Sequence, residues 1–160
     1  MEKNPNNMSI EQLTQNLVAK ADTLYKFVLL YSNYLTSPRD YGTGSVVTMV
    51  EVHTLTEIAD HPGITVTRLA EFWNRTKSAV SQTVSKLEKR GFVYRTTNAS
   101  NRKISELYVT EEGAKLSAAH KAYDLVDISH TLEDLLRTCT YEEIDCFYKV
   151  LGAYTKLFEE

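Results

Sequence analysis

The sequence predicts a mainly α fold, and three observations carry that expectation. Apolar residues recur at three-, four- and seven-residue steps over long stretches towards both ends of the 160-residue chain. Helix-start patterns stand where those stretches begin, as Ser9-x-x-Gln12 and Thr140-x-x-Glu143. Only six Gly and three Pro punctuate the chain, and the segment Phe92 to Val109, with its two runs of β-branched and aromatic residues, has room for one hairpin. Apolar residues at 42% and charged residues at 24% exclude disordered and collagen-like classes. No apolar run approaches the roughly 20 residues that span a bilayer. Met1 to Ile10 is polar and Asn-rich, unlike a signal peptide. Cys139 and Cys146 read as reduced thiols, so the expected compartment is the cytoplasm.

The elements follow in order. After the capping box at Ser9, the positions Ile10, Leu13, Leu17, Leu24, Val28, Tyr31 and Leu35 predict one amphipathic helix of about seven turns. It stops before Pro38, in a Ser-Pro-Arg-Asp-Tyr-Gly-Thr-Gly segment that reads as a loop. A second helix is expected from about Ser45 to Ala59, ended by His61-Pro62-Gly63. Thr65 then caps a short helix with Val66, Leu69, Ala70 and Trp73 on its core side. Asn74 tolerates the left-handed conformation needed to leave that helix. Thr76 caps a further helix that runs to Arg90 and ends at Gly91. Two helices joined so closely form a helix-turn-helix. Phe92–Thr97 and Ile104–Val109 read as strands around a polar, basic tip from Asn98 to Lys103. A long helix is expected from Thr110 to about Arg137. The last begins at Thr140 and carries Ile144, Phe147, Leu151, Tyr154 and Phe158 on one side.

A helix-turn-helix followed at once by a hairpin is a winged helix. The expected organisation is an N-terminal dimerisation helix over 1–44, a winged helix-turn-helix lobe over 45–110 and C-terminal dimerisation helices over 111–160. The outer helices are too long and too apolar for the central lobe to cover, and a second copy of the chain would cover them.

The charge is as uneven as the pattern. Residues 64 to 109 hold nine bases against three acids, a local charge of +6 inside a chain of net charge −3. A basic middle in an acidic chain suits a module that binds phosphate, because that attraction is local.

These segments resemble the MarR family of bacterial transcription regulators, the multiple-antibiotic-resistance type. The likeness covers nearly the whole chain. It is sharpest in Thr-Val-Thr-Arg-Leu-Ala-Glu from Thr65, in Thr-Lys-Ser-Ala-Val-Ser-Gln-Thr-Val-Ser-Lys-Leu-Glu-Lys-Arg-Gly-Phe-Val-Tyr-Arg from Thr76, and in Val-Thr-Glu-Glu-Gly ending at Gly113. The resemblance implies a homodimer held by its first and last two helices. It implies a Thr76–Arg90 helix that enters the major groove and a wing tip that reaches the minor groove. The expected function is sequence-specific, double-stranded DNA binding at a pseudopalindromic operator, as a repressor relieved by a small effector, often aromatic. The family's Asp-x-Arg at the wing falls on Asn101-Arg102-Lys103. Asn replaces Asp, Lys replaces Arg, and an arginine stands one place early.

On the recognition helix, Val80, Val84 and Leu87 form the apolar stripe, with Ser78, Gln82, Ser85 and Lys89 almost opposite and Lys86 beside them. Glutamine can bond adenine through two hydrogen bonds, serine is permissive, and lysine takes phosphate or guanine. The expected DNA contacts are Arg75, Thr76, Lys77, Ser78, Ser81, Gln82, Ser85, Lys86, Arg95, Arg102 and Lys103. The bland alternative for this face is a solvated helix surface. A competing class keeps the fold and uses it as a protein-interaction module without DNA; a local charge of +6 over 46 residues argues against that.

Tyr25, Tyr31, Met49 and His53 are candidate effector contacts, since an apolar cleft with a few polar tips suits such a ligand. The competing reading of the tyrosines is a Tyr-rich dimer interface. No metal site or cofactor is expected. Zinc needs three or four converging ligands, His120 and His130 lie about 280° apart around a helix, and His53 reads as a packed core histidine. Some relatives sense peroxide through an N-terminal cysteine, which this sequence lacks. Glu142, Glu143 and Asp145 crowd the cysteines that it has, against the lowered thiol pKa that a redox switch needs. An enzyme is not expected, for want of a phosphate-cradling Gly loop, a His-Glu-x-x-His or a Gly-x-Ser-x-Gly.

Overall fold

The computed structural model describes residues 8–98, 101 and 104–158. The chain divides into two compact units, one ending at Ser37 and the other beginning at Pro38.

The first unit is helical. Ser9 forms the expected capping box: its hydroxyl accepts from the Gln12 backbone N–H at 3.3 Å, and the Gln12 side chain accepts from the Ser9 N–H at 3.1 Å. The single helix expected here is two, α1 (Ile10–Val18) and α2 (Ala21–Thr36). At Ala19 and Lys20 the bonding tightens from a four-residue to a three-residue step, with Lys20 N–H donating to Leu17 C=O and Thr23 N–H to Lys20 C=O. No Pro or Gly marks the break, so the periodicity runs through it unannounced.

The second unit opens on a feature the sequence reading missed. Pro38–Asp40 (β1) pairs antiparallel with Val46–Thr48 (β2), in the segment read partly as loop and partly as helix. Asp40 closes the turn between them, its carboxylate accepting the N–H groups of Gly42, Thr43 and Gly44. The next helix, α3, therefore begins at Met49 instead of Ser45 and runs to Asp60. Thr48 and Glu51 cap it reciprocally, a Thr-x-x-Glu box present in the sequence, and the β-branched Val46-Val47-Thr48 ahead of it favours a strand.

Then come α4 (Val66–Phe72) and α5 (Lys77–Lys89), capped by the hydroxyls of Thr65 and Thr76 as expected. Asn74, at φ +46°, makes the left-handed exit, and Arg75 N–H closes back on Ala70 C=O. The wing consists of β3 (Val93–Thr97) and β4 (Ser105–Val109), antiparallel with Val93 opposite Val109. Ile64 adds a single bridge to Leu107, on the outer side of β4. Two helices complete the unit, α6 (Glu111–Leu135) and α7 (Tyr141–Leu157).

The core of this unit is Val52, Leu55 and Ile58 from α3, Leu69 from α4, Val84 and Leu87 from α5, Leu107 from β4 and Leu116 from α6, all at most 1% exposed. Trp73, expected among them, is not: it caps the C-terminal end of α4 at 36% exposure, its ring edge-on to Phe72 and His53. The start of α6 is clamped to the wing. Thr110 donates its N–H to Phe92 C=O and its hydroxyl to Gly91 C=O, so Gly113, one turn on, lies against the Phe92 backbone. A Cβ at Gly113 would stand 2.0 Å from the Phe92 carbonyl oxygen, which is why the Thr-Glu-Glu-Gly pattern ends on glycine.

Candidate nucleic-acid interface

The helix-turn-helix determines what α5 shows to solvent. Val80, Val84 and Leu87 face inward and are at most 4% exposed. The helical period then points Ser78, Gln82, Lys86 and Lys89 outward, all four exposed, with Ser81 and Ser85 half-buried on the flanks. Ser78, Ser81, Gln82, Ser85, Lys86 and Lys89 line one shallow groove along the helix. A second concavity joins Lys77, Ser78 and Ser81 of α5 to Thr65 and Thr67 at the start of α4 and to Arg95 and Ser105 on the wing strands. The sequence reading did not name Thr67 or Ser105. Their place follows from the packing of α4 and the wing against α5, which no local pattern encodes.

The electrostatics suit a polyanion. Among the described residues, Arg75, Lys77, Lys86 and Lys89 make no ion pair, and the first turn of α5 carries no acid. Free N–H groups and the helix dipole therefore add to the positive potential at Lys77 and Ser78. Arg90 lies over the Phe92 ring at 5.1 Å. Arg95 differs from its neighbours: its Nε donates to Glu88 Oε2 at 2.9 Å, which ties the first wing strand to α5 and offsets part of its charge. Thr76 is occupied as the cap of α5, its hydroxyl accepting from Ala79 N–H.

At the wing tip, Arg102 and Lys103 lie outside the described residues. Their neighbours show how the hairpin is held beside the altered Asp-x-Arg. Asn101 N–H donates to the Asn98 side-chain oxygen, Ile104 N–H to Asn101 C=O, and Asn98 N–H to Ile104 C=O. The Asn98 amide and the Tyr108 hydroxyl both donate to the Glu106 carboxylate, and that bond raises the Tyr108 pKa.

The four candidate effector residues fall in different settings. Tyr25 and Tyr31 are exposed on α2, where Tyr31 stacks between Phe27 and Tyr34. On α3, Met49 is buried with its sulfur 3.8 Å from the Tyr41 hydroxyl. His53 is half-buried, with its ring edge-on to Trp73 and 4.7 Å from that of His120. The comparison of His120 with His130 along one helix had missed this pairing across the fold. His120 is buried, and its burial lowers the imidazole pKa, against the opposing pull of the Asp124 carboxylate.

Among the described residues, no helix is long and apolar enough to cross a membrane. The MarR family model matches residues 47–105. The uncharacterised HTH-type transcriptional regulator YhjH of Bacillus subtilis (strain 168) is 39% identical over 84 residues, 52% of this chain and 48% of YhjH. The chain thus spans about half the length of YhjH. The uncharacterised HTH-type transcriptional regulator YybA of the same organism is 30% identical over 107 residues, 66% of this chain and 67% of YybA. Among solved structures, FabT of Streptococcus pneumoniae in complex with DNA shares the fold at a TM-score of 0.62 and 21% identity, over 91% of this chain and 97% of FabT.

Proposed function

The chain belongs to the MarR family, and on that premise we propose that it is a sequence-specific DNA-binding transcriptional regulator, not an enzyme, acting in the cytoplasm. The outer face of α5 carries this reading. Four exposed side chains able to bond base edges or phosphates stand opposite a fully packed stripe, beside cations that have no intramolecular partner among the described residues. That is the arrangement by which a recognition helix reads the major groove. The relatives YhjH and YybA are described as transcriptional regulators, and FabT was solved on DNA. A protein-interaction module would have no need of four unpaired cations around one helix. Filter binding to random duplex DNA at low salt tests the proposal: retention that falls steeply with added salt is expected, and no retention would refute it.

The regulator works as a homodimer on a pseudopalindromic site. The support is apolar surface: Ile10, Leu17, Tyr25 and Leu29 of the first unit and Tyr148, Leu157 and Phe158 of the second are each more than 60% exposed in one chain.

It represses transcription, and a small effector releases it. Two recognition helices must meet successive major grooves about 34 Å apart, so a ligand that favours another spacing lowers operator affinity. Effector contact is assigned to the exposed rings of Tyr25 and Tyr31 on α2. Tyr31→Ala should weaken effector binding and leave effector-free operator affinity near that of the parent. A collapse of operator binding in that variant would make the tyrosine structural instead.

A further inference from the structure

Beneath the α3–α6 contact, three side chains from distant parts of the sequence converge. His53 comes from α3, and His120 and Asp124 stand one turn apart on α6. One donor atom of each lies within 4.8 Å of the other two. We propose that this cluster binds a borderline divalent transition-metal ion of the zinc class, through two imidazole nitrogens and one carboxylate oxygen.

Two observations beyond proximity point to a ligand. The first is the state of His120 Nε2. It is a buried side-chain nitrogen with no hydrogen-bond partner among the described residues, an arrangement that costs about 1–3 kcal/mol when nothing else satisfies the atom. Asp124 Oδ2 stands 3.3 Å away but out of line for a hydrogen bond. That separation is the donor–donor edge of a tetrahedron with bonds of about 2.0–2.1 Å, the zinc–ligand lengths for nitrogen and oxygen. The second is what holds the ring. His120 Nδ1 faces the Thr56 hydroxyl at 3.5 Å, and that oxygen also accepts from Ser117 at 3.1 Å. A ring that donates from Nδ1 keeps its Nε2 lone pair free for a ligand, which is how second-sphere partners orient a ligating histidine.

The donor set selects the ion. Two imidazoles and one carboxylate suit zinc, cobalt or nickel and are poor for calcium or magnesium, which favour oxygen. Three protein ligands leave a fourth position open to water or a small anion. Asp124 and His53 are half-buried, so the ion can enter from their side. The Tyr41 ring, edge-on to both His120 and Tyr123, and the Trp73 ring beside His53 wall the cluster with apolar surface.

This site is independent of the DNA-binding reading, and its test reads the metal alone. The full chain, stripped of metal, is titrated with Co2+ while its visible spectrum is recorded, and Zn2+ is then added as competitor. One Co2+ per chain is expected, with the visible bands of a low-coordinate site and displacement by Zn2+. Asp124→Asn and His53→Gln should each weaken binding by about 10-fold or more, the scale on which even second-sphere changes act. Their metal-free circular dichroism and melting should match the parent, because neither residue is fully buried. A Cys139→Ser, Cys146→Ser double variant should bind as the parent does. The proposal is overturned by absence of saturable binding at micromolar Co2+, by equal affinity in the ligand variants, or by loss of binding in the cysteine variant.

Discussion

The winged lobe and the terminal helices solve the burial of apolar side chains in opposite ways. In the lobe, α3, α4, α5, β4 and α6 each contribute a side chain at most 1% exposed, and the core closes within one chain. In α1 and α2 no residue is buried, and in α7 only Ile144 is. Both regions are amphipathic by sequence, so the difference lies in what each stripe meets. A stripe that meets its own chain makes a domain. One that meets solvent in a single chain is the surface that the proposed homodimer would remove from water.

The largest expected effect would break the terminal half of that contrast. Phe147→Glu with Leu151→Glu places two charges on the apolar side of α7 and should abolish dimerisation. Sedimentation equilibrium at low micromolar concentration should give the dimer mass for the parent and lose it for the double variant. A parent that sediments as a well-folded monomer would contradict the comparison.

The lobe half is tested by its packing. Leu107→Ala, in the middle of β4 and fully buried, should cost about 2–5 kcal/mol in denaturant unfolding. Gly113→Ala should cost about 1–3 kcal/mol, although alanine is the better helix former, since its Cβ collides with the Phe92 carbonyl. If Gly113→Ala stabilises the protein, the clamp between α6 and the wing is looser than its hydrogen bonds imply.

The same two regions differ in how much of them the sequence revealed. Caps and periodicity placed α4, α5, the wing and α7, because Thr65, Thr76 and Thr140 each act on residues within one turn. The outward face of α5 was legible for the same reason: Gln82 lies opposite Val80 and Val84 by helical geometry alone. The break at Ala19–Lys20 carries no punctuating residue. The β1–β2 hairpin was readable in part, since Val46-Val47-Thr48 and the Thr48–Glu51 box were present but were absorbed into a longer helix. Trp73 fitted the apolar side of α4 by spacing, yet the helix ends at that residue and its ring turns towards Phe72 and His53. The convergence of His53 with His120 was beyond any local pattern, because tertiary packing joins residues 67 positions apart.

The smallest expected effects separate anchoring from reading within the lobe. Lys86→Ala should weaken binding to every duplex alike and reduce the slope of log affinity against log salt by roughly one, since one phosphate contact is lost.

The most direct test of the central claim, that the outer face of α5 reads sequence, is a titration of Gln82→Ala. Its affinity would be measured against a duplex selected from genomic fragments and against random duplex, at several salt concentrations. A loss of about 1–3 kcal/mol on the selected site, with little change on random DNA, is the expected result. Equal losses on both DNAs, or none on either, would contradict it.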